Sequence, residues 1–115
     1  METIKKIHLT KQEEIILEDL VSRANINIPF DWKEDLLVSE LNDGGMGSLS
    51  LYPPEIINKE RAFGSQVSDC QFTDIDSVVV IASLYLDKEG SLYELDIWKT
   101  DFSPLKEIST DFKSI

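Results

Sequence analysis

Residues 78–99, VVVIASLYLDKEGSLYELDIWK, constrain the fold more than any other stretch. Two runs rich in β-branched and aromatic residues flank Asp87-Lys88-Glu89-Gly90, the pattern of an antiparallel hairpin. Residues 78–86 are apolar on both faces, as a strand inside a sheet is. A type I turn with Gly90 in the left-handed bulge position gives a three-residue loop. That loop sets Asp87 opposite Ser91 and Ile81 opposite Ile97. Along residues 92–99 the alternation sends Tyr93, Leu95 and Ile97 to one face, and Leu92, Glu94, Asp96 and Trp98 to the other. The first set suits a face packed beneath a helix.

A helix is predicted over residues 10–25. Thr10 and Glu13 form a capping box, and Ile16, Leu17, Leu20, Val21 and Ala24 make one apolar stripe. Pro29 prevents its continuation. Phe30 and Trp32 are expected to anchor residues 27–35 to the core. Residues 36–42 and 48–52 read as a hairpin around a glycine-rich stretch, ended by Pro53-Pro54. Residues 55–64 suit a helical turn or a loop, residues 65–73 a third strand, and 74–77 a turn. The sum is one α+β domain over residues 1–115: a meander of about five antiparallel strands with one long N-terminal helix on one face. A chain of this length buries roughly two-thirds of its unfolded surface, enough for one core.

Charge narrows the function classes. The 22 acidic and 11 basic residues give a net charge of −11. Such a surface repels nucleic-acid phosphates and anionic lipid and attracts basic partners, although it also serves plain solubility. Lys5, Lys6, Lys33 and Lys59 form no basic stripe, so neither nucleic acid nor membrane is an expected partner. The N-terminus turns polar before any signal-peptide core, and the longest apolar run, residues 78–82, is far below the roughly 20 residues a membrane span needs. A cytoplasmic location is the expectation. One cysteine, Cys70, leaves no intramolecular disulfide.

The stretch NDGGMGSLSL, residues 42–51, raises the question of a ligand loop. No Gly-Lys-Ser/Thr follows it and no helix opens behind it, so the phosphate-loop and dinucleotide fingerprints are absent. Asp43-Gly44-Gly45 is a hairpin-turn sequence, with Met46 and Ser48 at the edge of a contact surface. Catalytic sets are thin. His8 lies in a segment expected to be mobile, and Cys70 sits in an acidic stretch that raises its pKa. Asp69, Asp74 and Asp76 lack calcium-loop spacing and read as solvated turn acids. No metal site or cofactor is expected. Glu94 and Asp96 are the best carboxylate pair for acid–base work. Trp98 has two readings. The following segment, with Phe102, Pro104 and Leu105, folds back over it, or Trp98 is exposed as a partner anchor beside Glu94, Asp96 and Asp101.

NDGGMGSLSLY, RAFG and LYLDKEGSLYELDIWKTDFSPLKEI together resemble a family of small bacterial proteins of uncharacterised function. The likeness spans roughly residues 40 to 108. It is carried by Asp43, Gly44, Gly45, Met46, Gly47, Ser48, Arg61, Phe63, Gly64, Glu94, Asp96, Trp98, Lys99, Asp101, Phe102, Pro104 and Leu105. It implies a single domain and no assigned activity. In size and acidity the chain also looks like immunity proteins of bacterial toxin systems. The expectation is a non-enzymatic protein-binding module, most concretely an immunity protein for a basic toxin domain, using Met46, Glu94, Asp96, Trp98 and Asp101. A carboxylate- or metal-dependent hydrolase using Glu94 and Asp96, with Asp101, is the alternative, and a ligand-binding or regulatory domain with a pocket beside residues 43–48 is a third.

Overall fold

A computed structural model describes residues 5–56 and 60–115. Residues 57–59, including Lys59 and part of the ambiguous 55–64 segment, lie outside the described residues. Six strands and one helix are described: β1 (Ile7–His8), α1 (Lys11–Arg23), β2 (Leu37–Glu40), β3 (Leu49–Tyr52), β4 (Phe63–Thr73), β5 (Val79–Asp87) and β6 (Leu92–Lys99), with a 3-10 turn at Pro54–Ile56.

The capping box forms as its sequence dictates. The Thr10 amide donates to Glu13 Oε1 at 2.9 Å and the Glu13 amide to Thr10 Oγ1 at 3.2 Å. The helix is shorter than predicted, 13 residues, because the backbone turns extended at Ala24. Its stripe works as read: Ile16, Leu17 and Leu20 are fully buried. They pack over the β4–β5 side of the sheet, where Ser68 Oγ donates to the Leu20 carbonyl at 2.7 Å.

The sheet is antiparallel throughout, but it is not a meander. The strand order is β1-β2-β3-β6-β5-β4. After β3 the chain crosses to the far edge to begin β4, then folds back through β5, so that β6 closes the gap beside β3. Leu49 pairs with Leu95 and Ser50 with Glu94. A sixth strand also appears where mobility was expected, since His8 pairs with Leu37 and Ile7 with Val38.

The 78–99 hairpin keeps its loop. Gly90 has φ +87°, and the Asp87 amide donates to the Ser91 carbonyl at 2.9 Å. Beyond it the register shifts by one. Leu86 pairs with Leu92 but Tyr85 with Glu94, which makes Tyr93 the extra residue of a bulge and places Ile81 opposite Trp98, not Ile97. The bulge turns Leu92 into the core, where it is 2 % exposed, instead of leaving it on the outer face. Arg61 braces this corner. It pairs with Asp87 at 3.1 Å, donates to the Leu51 carbonyl at 2.5 Å and to the Leu92 carbonyl, and lies over the Tyr93 ring.

Leu49, Leu51, Val80, Ala82, Leu84, Leu95 and Ile97 face the helix and form the core with Val38, Cys70 and Phe72. Trp32 packs against this core, but Phe30 is 95 % exposed, contrary to its predicted anchoring role. Residues 27–35 are thus anchored to the core by Trp32 and Ile28, and tied to the helix through Lys33, whose ammonium meets Glu18 at 2.5 Å and Glu14 at 3.3 Å.

An open sheet face as the candidate functional site

One face of the sheet carries the helix, and alternation dictates what the other displays. From β6 come Glu94, Asp96 and Trp98, joined across the strands by Ser50, Tyr85, Ser83 and Ile81. Leu95, Ile97 and Lys99 point the opposite way and are buried. Phe63 extends the face at its edge, its ring 5.2 Å from that of Tyr85.

Trp98 is only partly covered by the C-terminal segment, through Phe102 and not through Pro104 or Leu105. It is 39 % exposed, and the neighbouring Phe102 is 69 % exposed with ring centroids 6.0 Å apart. Phe102 holds φ +64°, a left-handed conformation that costs a side-chain-bearing residue about 1–2 kcal/mol. The turn keeps it there: its amide donates to the Lys99 carbonyl at 2.7 Å, and Asp101 accepts from the Ser103 amide and hydroxyl at 3.0 and 2.6 Å. Those Ser103 hydrogen bonds also hold the exposed Asp101 carboxyl below its usual range. Val79, 38 % exposed, and Ile81 continue the apolar patch along β5.

Beside this patch sits a crowded set of acids. Burial pushes the Glu94 carboxyl up, and the charge of Asp96 adds to it. Burial likewise raises Asp96, and the second cause is Asp43. Asp43 reaches the set from the glycine-rich loop. Burial works against its charged form, but hydrogen bonds from Ser48, at 2.9 Å to its amide, and Met46, at 3.0 Å, outweigh that and hold it low. The face therefore carries carboxylates that repel one another.

The glycine loop is not a bare turn, because the C-terminal segment lies on it. A Cβ at Gly45 would meet Pro104 Cβ at 3.3 Å, and one at Gly47 would meet Leu105 Cδ2 at 3.3 Å. The Leu105 amide donates to the Gly45 carbonyl at 3.0 Å. Pro104 and Leu105 thus fold back as predicted, but onto Gly45 and Gly47 instead of Trp98. Met46 is half-buried in this loop.

Asp74 is not a solvated turn acid but is buried, whereas Asp76 stays exposed in its turn and is ion-paired. The fully buried Lys99 ammonium meets Asp74 at 2.9 Å and Asp76 at 2.5 Å, and also donates to the Pro104 carbonyl at 3.2 Å. Asp74 accepts further from the amides of Ile75, Lys106 and Glu107 at 2.7, 2.8 and 3.0 Å. This hub fixes both ends of the turn that displays Phe102. Reading by charge missed Lys99 and Asp74, since nothing local separates a buried lysine from an exposed one.

Among the described residues no group of histidine, cysteine, aspartate or glutamate is arranged to hold a metal ion, and no helix is long and apolar enough to cross a membrane. Fold and face together define an α+β domain with one sheet surface packed and the other open, acidic and aromatic. The chain matches DUF6984, a domain of unknown function, over residues 6–109, and it belongs to that family. No curated protein and no solved structure matches it.

Proposed function

We propose that this chain is a non-enzymatic protein-binding module that docks a basic partner on its open sheet face, in its most concrete form an immunity protein neutralising a bacterial toxin domain. The observation that carries the reading is the exposed Trp98–Phe102 pair, held in a strained turn beside Asp43, Glu94 and Asp96. Aromatic anchors ringed by polar groups are what interface hot spots consist of. Three acids that repel one another in the free protein are relieved by a cationic surface, and the net charge of −11 steers such a surface toward them.

The test is co-purification of the chain with the product of the adjacent upstream gene. Binding is expected, and Trp98→Ala should weaken it by roughly 30-fold or more, the loss typical of a hot spot. Because Trp98 is partly exposed, its loss should leave folding intact. Absence of binding, or an upstream product without toxic activity, removes the immunity reading.

The raised carboxyls of Glu94 and Asp96 also suit a hydrolase, since perturbed acids cluster at catalytic sites. Metal-dependent chemistry there predicts a thermal shift with Mg²⁺, Mn²⁺, Ca²⁺ or Zn²⁺; a flat titration removes that support.

A further inference from the structure

A second surface lies away from the open face, where β3 ends and β6 begins. Ile28, Trp32, Pro53, Pro54 and Leu92 wall a cavity of about 90 Å³. A drug-sized ligand needs at least about 300 Å³, so this space admits the stem of one side chain and no more. Three carboxylates, Asp31, Asp35 and Glu55, stand at its rim, and no basic residue is among the described residues that line it. Glu55 is positioned by the Ser91 hydroxyl, which donates to it at 3.2 Å. The Asp31 and Asp35 carboxylates make no hydrogen bond or ion pair with the described residues. Beside them Phe30 projects into solvent, 95 % exposed.

We infer that this cavity receives a long cationic side chain, lysine or arginine, presented by a protein partner. The apolar walls take the methylene stem, and the three rim carboxylates take the cationic head. Long basic side chains divide in this way between apolar surface and polar surroundings. Charge complementarity selects the occupant: an uncharged aliphatic chain would gain only the walls, and an anion would be repelled by three acids. Trp32, as an aromatic wall, adds attraction for a cation near its ring. The partner's ownership of that side chain rests on the reading above, but the chemistry of the cavity does not.

Free probes separate the two. The full chain, labelled with nitrogen-15, is titrated with N-acetyl-lysine methylamide, N-acetyl-arginine methylamide and the uncharged isostere N-acetyl-norleucine methylamide, following the Trp32 indole N–H. The expected result is a saturable shift with the lysine or the arginine probe, at an affinity at least about five-fold above that for norleucine. The double variant Asp31→Asn with Asp35→Asn should bring that affinity down to the norleucine level. Both positions are exposed, so the variant should fold, and an otherwise unchanged spectrum verifies it. Equal response to all three probes, no saturable shift at Trp32, or undiminished binding by the double variant overturns the inference. Trp98→Ala should leave the titration unchanged. Probe binding without partner capture would therefore refute the open-face reading while this one stands, and the converse result would do the reverse.

Discussion

Asp74 holds opposing influences on one carboxyl. Burial alone would raise its pKa, but hydrogen bonds from the Lys106, Ile75 and Glu107 amides and from the Lys99 ammonium prevail and lower it to about 2. In an unfolded chain the same group titrates near ~3.9. The folded value is the lower one, so its stabilising contribution is complete above about pH 4 and disappears as pH falls toward 2. Unfolding free energies from urea curves should therefore be about 3–5 kcal/mol lower for Asp74→Asn than for the wild type at pH 5, as for a broken buried pair, and that gap should shrink by about 2 kcal/mol by pH 2. A gap that stays constant with pH would contradict this. Lys99 shifts the other way: burial lowers its pKa, but its hydrogen bonds to Asp76 and Asp74 leave it raised. Cys70 is pushed up to about 12, first by burial and next by Asp19. Iodoacetamide at pH 8 should leave the native thiol unmodified and alkylate it in urea, as mass spectrometry would read. The acidic stretch around Cys70 indicated the direction of its shift but not the leading cause, which is burial in the core. For Lys99 and Asp74 there was no signal, because burial is a property of the assembled sheet.

At the scale of single elements, sequence reading succeeds where the determinants are local and stops where they are not. The capping box and the Gly90 loop each depend on residues three or four apart, and both form as written. The bulge at Tyr93 depends on distant Arg61, which braces Asp87 and the Leu92 carbonyl, so the one-residue register shift was illegible. A second bulge makes Gly64 the extra residue between Phe63 and Ser65 on β4. A Cβ there would lie 2.6 Å from the Asp87 carbonyl carbon, whereas one at Gly90 would meet nothing within 4 Å. Gly90→Ala should thus cost only the left-handed backbone penalty, about 1–2 kcal/mol. Gly64→Ala should cost more, since β5 backbone must move to admit the methyl group, and paired denaturation curves would rank the two. Equal losses would mean that β4 yields easily at its edge.

Across the whole molecule, the strand order was the least legible property. Every strand but the shortest was found near its true limits, yet β6 pairs with β3 across more than forty residues, a choice no local pattern encodes. The open face was largely visible: alternation along β6 placed Glu94, Asp96 and Trp98 together and proximity suggested Phe102, while Asp43 joins them only through tertiary contacts. Charge acts at this same scale. On the proposed reading, the net charge of −11 steers encounter, so association with a basic partner should slow markedly between about 50 and 500 mM salt while dissociation changes little. Stopped-flow measurement would resolve the two rates, and a salt-independent association rate would speak against steering.

The alternation along β6 also separates two kinds of inheritance. Leu95 and Ile97 answer to the helix and the core, whereas Glu94, Asp96 and Trp98 answer to whatever lies outside. On the proposed reading, one scaffold could therefore exchange its docking residues, position by alternate position, while the core residues between those positions stay the same.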